Sequence, residues 1–177
     1  MALKSTNERY GQVAVVVHWL SAILIIGLLA SGFRAASTLD PAAKAGLLRV
    51  HVIVGVAVLA LTLFRLVWWM LADRKPDPLS GGALMERAAK SVHALFYVVV
   101  LGMAASGIGM MVLSGAAPVL FGGQVTGLPD FFQYPPRLPH GLGARLLIAA
   151  LVLHVGGALY HHFIARDRIF ARMGIGR

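Results

Sequence analysis

Cysteine is absent from all 177 residues. Disulfides, thiolate ligands and thiol redox chemistry are excluded, and with them iron–sulfur clusters and cysteine-ligated haem. Charge is scarce too, at 13% of residues, where soluble domains carry about 25%. Long uncharged stretches fill the space instead. No internal repeat and no low-complexity tract is evident. What remains is a 58% hydrophobic chain of a length that suits one domain, 1–177.

Apolar runs of about 18 or more residues read as membrane-crossing helices. Four such spans are expected, at approximately 13–33, 50–72, 91–114 and 141–165, the second interrupted only by Arg65. The first is too long for a signal-peptide core, contains His18 and Trp19, and lacks a small-x-small cleavage pattern, so it is expected to be retained. Lipid offers the backbone no hydrogen bonds, so the spans must be helical. The fold expected is all-α: an integral membrane four-helix bundle.

The charge that is present, +9 net, is arranged around the spans. An even span count puts both termini on one side. Eleven basic residues fall on that side and five, Arg34, Lys44, Arg49, Arg137 and Arg145, on the other. The bias favours cytoplasmic termini and contact with anionic lipid. No separate basic domain exists, which speaks against nucleic acid as a partner. Asp40-Pro41 is a helix-start signal in the first outer loop, which has room for a short interfacial turn. The inner loop DRKPDPLSGGALMER reads as irregular. The long second outer loop, with Phe131, Phe132 and Tyr134, is placed to cover the outer mouth of the bundle.

Imidazole is costly in hydrocarbon, so the histidines need partners. His140 and His154 lie fourteen residues apart, which is roughly 21 Å of rise and only about 40° of rotation on a helix. They stack on one face. His51 matches His140 in depth, and His18 matches His154. Two facing pairs at two depths are what two bis-histidine haems need. Zinc is the weaker reading, because its ligands cluster at one level. A proton relay of hydrogen-bonded histidines is the other alternative. Arg49 near the outer level and Arg65 near the inner one suit haem propionates. Gly55, Gly156 and Gly157 suit either a porphyrin face or close helix packing. His161 lies on nearly the same face as His154 and competes with it for the inner haem. The fourteen-residue interval favours His154, leaving His161 within reach of a quinone headgroup. His93 suits a propionate, a quinone or a helix cap. His162 points elsewhere, toward the interface, and Trp68 and Trp69 suit an interfacial belt.

The segments YGQVAVVVHWL, LLRVHVIVGVAVLALTLFRLVWW, AAKSVHALFYVVVLGMAASG and LVLHVGGALYHHF resemble the four spans of the bacterial cytochrome b561 family, in order and over essentially the whole chain. The short format is most similar to the family's small di-haem superoxide oxidases (superoxide:ubiquinone oxidoreductases). The resemblance implies two haems b, ligated by His18 with His154 and by His51 with His140. It also implies a ubiquinone site near Trp19 and His161 and residence in the bacterial inner membrane. Pro139 and Gly141 flank His140, so the outer end of the fourth helix is expected to be irregular.

The resulting expectation is an enzyme that passes electrons from periplasmic superoxide through two haems to ubiquinone. Arg34, Lys44, Arg137 and Arg145 would steer the anion to the outer face. One alternative keeps the haems and makes the chain an electron-transfer subunit between the quinol pool and a periplasmic redox protein. Another, of a different class, is a haem-free transporter or structural bundle.

Overall fold

A computed structural model describes residues 2–78, 82–122 and 127–176. Four long helices dominate: α1 (Gln12–Ser37), α2 (Pro41–Leu71), α3 (Gly82–Ser114) and α5 (Arg137–Leu159), the last prolonged by a π-helix at Tyr160–Ala165. Between α3 and α5 lie a short α4 (Ala116–Phe121) and a 3-10 turn (Phe131–Gln133); α6 (Ile169–Arg172) follows the π-helix. The four long segments are apolar and long enough to cross a bilayer. Among the described residues there is no strand. The protein is an all-α, multi-pass membrane bundle.

Each helix end has a local cause. No side chain caps α1; instead the first residues of the chain fold back, and the Ala2 and Leu3 carbonyls accept the Gln12 and Val13 amides at 3.0 and 3.4 Å. Gly11 permits this close approach, because a Cβ there would meet the Leu3 carbonyl oxygen at 2.4 Å. At α2, Asp40 is the N-cap and accepts the Ala43 amide at 2.9 Å, with Pro41 at the first helical position. Both choices satisfy or remove amides that lack intrahelical partners. The room for an interfacial turn in this loop is taken by the helices themselves, and only residues 38–40 connect them. Likewise α3 starts at Gly82, inside the stretch expected to be irregular, and its polar first turns carry a 2.6 Å Glu86–Lys90 pair. Residues 79–81 of that loop lie outside the described residues.

The N-terminal end of the fourth span is regular, contrary to the sequence expectation. Helix α5 runs unbroken from Arg137, and the His140 amide donates to the Pro136 carbonyl at 3.1 Å. Pro139 falls in the first turn, where its missing amide removes no helical hydrogen bond. His140 therefore keeps helical register with His154.

Helix α1 packs chiefly on α2 and α3 chiefly on α5, and the two antiparallel pairs join mainly through α2 and α3. The apolar core of Val58, Val99, Val100 and Leu147, backed by Leu24, Ile25 and Leu28, lies between the two histidine depths. Ala45, Ala116 and Leu120 form a second cluster that seats α4 on α2. Outward-facing Ile23, Val56, Val98 and Val152 are exposed. In lipid that exposure carries no hydrophobic penalty.

Candidate functional site

Both termini lie at one end of the bundle: the Arg172 guanidinium donates to the Glu8 carbonyl at 2.7 Å. His18 and His154 form the histidine pair nearer that end, and His51 and His140 the far pair.

The far pair is the better defined. His51 on α2 faces His140 on α5 with ring centroids 6.1 Å apart. The Ser31 hydroxyl donates to the Leu28 carbonyl one turn back, at 3.1 Å. Its oxygen is thereby left to accept from His51 Nδ1, also at 3.1 Å. Ser106 repeats the device on α3, donating to the Met103 carbonyl at 3.0 Å and meeting His140 Nδ1 at 3.0 Å. The Met103 carbonyl itself lies 3.1 Å from the same Nδ1. In both rings Nδ1 therefore carries the proton, and Nε2 keeps its lone pair for a ligand bond. A glycine follows each serine. A Cβ at Gly32 would come within 3.0 Å of His51 Cε1, and one at Gly107 within 3.4 Å of His140 Cε1. Each histidine of the far pair thus lies in a Ser-Gly cradle on the neighbouring helix.

The near pair has the same spacing and a different surround. His18 on α1 and His154 on α5 are again 6.1 Å apart between centroids. Imidazole–metal bonds run about 2.0–2.1 Å in zinc sites and the ring adds about 1.1 Å, so two rings on opposite sides of one ion lie about 6.2–6.4 Å apart. Both pairs meet that spacing, and with the far pair's bare Nε2 atoms the donor set fits bis-imidazole ligation of haem iron. His93 is only 5.3 Å from His154, too close to be its opposite partner across a metal. Phe96 packs on His154 at 5.4 Å. Arg65 lies 5.9 Å from the Tyr97 ring, and its buried Nε–H has no partner among the described residues. An orphaned buried guanidinium donor suits an anionic group such as a propionate.

The two pairs reveal a repeat that composition and periodicity did not. Thirteen residues separate His18 from Ser31-Gly32 and His93 from Ser106-Gly107; fourteen separate His51 from Arg65 and His140 from His154. Each antiparallel helix pair uses the same positions. His93 thus corresponds to His18, and Arg65 to His154. Ser31 and Ser106 were missed because a lone serine in a span is ordinarily a back-bonded packing residue.

Other expected residues are divided by the structure. A cavity of about 1100 Å³ adjoins His51 and His140, and Lys44, Arg137, Arg145 and Asp130 line it together with Phe131, Phe132 and Tyr134. The aromatic loop thus faces the far pair. The Arg137 guanidinium lies 4.7 Å from the Phe132 ring. Arg34 is exposed and outside that lining. Arg49 Nε donates to the Leu120 carbonyl, which fastens α4 over the mouth. At the terminal end, Trp19 packs on His18 at 5.2 Å and donates to the Met173 carbonyl at 3.1 Å. His161 Nδ1 is 2.5 Å from Asp167 Oδ2. His162 packs against the Phe170 ring of α6 at 4.6 Å. Trp68 and Trp69 stand at the end of α2, the first bonded to Asp73 at 3.1 Å and the second against Tyr10.

The profile of the prokaryotic cytochrome b561 family matches residues 9–176. "Cytochrome b561 homolog 2" of Escherichia coli (strain K12) is 26% identical over 187 residues, covering 98% of this chain and 95% of the relative. "Cytochrome b562" of Cereibacter sphaeroides is 25% identical, covering 93% and 94%. "Cytochrome b561 homolog 1" of E. coli is 24% identical, covering 94% and 97%. Membership implies a membrane b-type cytochrome that binds haem b and transfers electrons, as a multi-pass protein of the inner membrane. With four membrane-length helices, histidines paired across them and a match spanning nearly its whole length, this chain belongs to the prokaryotic cytochrome b561 family.

Proposed function

We propose that the chain is a di-haem superoxide:ubiquinone oxidoreductase with both termini in the cytoplasm. His51 and His140 hold one haem b, and His18 and His154 the other. Bound there, the haems supply a one-electron relay between the two faces of the membrane. The observation that carries the reading is the cavity beside the far pair, whose wall holds Lys44, Arg137 and Arg145 against the single carboxylate Asp130. Such a wall concentrates a small anion near the half-buried imidazoles and raises its encounter rate. Arg65 offers its free Nε–H to a propionate. At the terminal end, His161, Trp19 and His93 form the surroundings of ubiquinone. Two superoxide ions become two dioxygen molecules, and one ubiquinone gains two electrons and two protons to become ubiquinol.

Rapid mixing of the oxidised protein with superoxide at low salt is expected to produce the reduced b-type spectrum. Arg137→Glu with Lys44→Glu should slow this by about tenfold, with the difference fading at high salt. A haem-containing protein that superoxide does not reduce, but that co-purifies with a periplasmic redox protein, is the electron-transfer subunit instead. A purified protein without b-type bands belongs to the haem-free class.

A further inference from the structure

We propose that Asp167 is the positioning residue of the ubiquinone end: it holds His161 by Nδ1, so that Nε2 alone exchanges a proton with the quinone oxygen. The proposal rests on the reading that ubiquinone binds at His161.

His161 and Asp167 are six residues apart. On a continuous α-helix that spacing turns about 240°, and the two side chains point apart. The chain departs from α geometry here. The segment Tyr160–Ala165 is a π-helix, and Arg166 and Arg168 take left-handed backbone conformations with φ of 56° and 55°. π turns are frequent at functional sites, and left-handed non-glycine residues store strain that other contacts must hold. The result of both distortions is one contact: Asp167 Oδ2 lies 2.5 Å from His161 Nδ1, with the side chains only 18% (His161) and 10% (Asp167) exposed. The Asp167 amide also donates to the His161 carbonyl at 3.2 Å. Arg168 and Arg172 of the C-terminal segment, Glu8 and Arg9 of the N-terminal segment and Asp77 line a polar pocket with Asp167. Tyr160 packs edge-on against His161 at 5.8 Å. Asp167 Oδ1 is buried without a partner among the described residues.

A carboxylate at Nδ1 fixes the imidazole's orientation and tautomer, as in carboxylate–histidine pairs of hydrolases. Nε2 then carries all exchange with the substrate. In the neutral ring so held Nε2 is bare, and it first takes a proton from solvent. As ubiquinone takes up its two electrons, supplied in turn by two superoxide ions, that Nε2–H bond breaks and an O–H bond forms at the facing carbonyl. The ring returns to its neutral Nδ1–H form. The opposite carbonyl takes its proton from cytoplasmic water.

The test uses haem-loaded protein and a short-chain ubiquinone. Asp167→Asn presents an amide N–H to Nδ1 and should trap the Nε2–H tautomer. Ubiquinone reduction is expected to lose about 10²-fold in kcat with KM changed less than about twofold. The haem spectrum should not change, and Asp167→Glu should recover part of the rate. Nitrogen-15 histidine NMR, assigned with His161→Gln, should show the tautomer switch without any turnover. A kcat and tautomer like wild type in Asp167→Asn overturns the proposal. So does a uniform loss of haem and rate that Asp167→Glu fails to relieve. If instead His161→Gln leaves ubiquinone kinetics intact, the quinone reading fails by itself, while the NMR signature still reports whether Asp167 sets the tautomer.

Discussion

The far and near histidine pairs have one spacing and two constructions. His51 and His140 each lie in a Ser-Gly cradle that fixes the tautomer and leaves room for the ring. His18 and His154 have aromatic and cationic neighbours instead, namely Trp19, Phe96, His93 and Arg65. The near pair also lies toward the distorted terminal end, where α5 gives way to the π-helix. The difference teaches that two sites built on one helical layout can share a metal-ready spacing and still be tuned separately. In the proposed function the far site meets a small anion through its cavity, and the near site meets a quinone.

The largest test of that comparison removes one pair at a time. His140→Ala and His154→Ala should each lose about half of the haem by pyridine haemochrome, because one axial ligand of one site is gone. His161→Ala should keep both haems. Loss of haem in His161→Ala and not in His154→Ala would reverse the ligand assignment at the near site.

Next come the glycines. Gly32→Ala puts a methyl 3.0 Å from His51, tighter than ordinary contact, whereas Gly107→Ala reaches 3.4 Å from His140. Haem affinity at the far site should fall about tenfold in the first and little in the second. Equal effects would mean that the cradle is not what limits the site.

The serines should be gentler. Ser31→Ala and Ser106→Ala each remove one acceptor of a ring Nδ1–H, and a backbone carbonyl, Leu28 beside His51 and Met103 beside His140, stays within reach of each ring. A lost hydrogen bond is about 1 kcal/mol, so each should raise the far haem's potential by at most some tens of millivolts. Spectroelectrochemical titration measures both.

The smallest effect lies at the terminal end. Burial pulls the Asp73 carboxyl upward, but hydrogen bonds from the Ser5 hydroxyl and amide, the Arg74 amide and the Trp68 indole outweigh it and hold it below the usual carboxylate range. A depressed acid stabilises above its unfolded value and loses that contribution as pH falls through its folded one. The Ser5–Asp73 tie should therefore loosen in acid. Trp68 fluorescence should report a small change below about pH 4, absent in Asp73→Asn.

Much of this was legible beforehand, for identifiable reasons. A helix turns 100° per residue, so His140 and His154 had to share a face once the span was helical. Bilayer thickness fixed the span count, and charge scarcity fixed the solvent. Depth matching then named His18 and His51 as partners. Pro139 misled because a proline beside a ligand looks disruptive, whereas its place in the first turn of α5 makes it harmless. Asp167 was invisible because the arithmetic that revealed the histidine ladder places it on the wrong side of the helix.

The sequence by itself determined an all-helical membrane bundle with histidines at two depths, since hydrocarbon solvent and helical periodicity leave few other solutions. The tertiary structure alone decided what lies between and behind those histidines. Helix pairing brought Ser31 to His51 and Ser106 to His140. The packing of α4 took Arg49 Nε for the Leu120 carbonyl. The π-helix and two left-handed arginines carried Asp167 round to His161. Such contacts depend on where separate helices meet and where one helix stops being ideal, and no fixed periodicity along one chain encodes either.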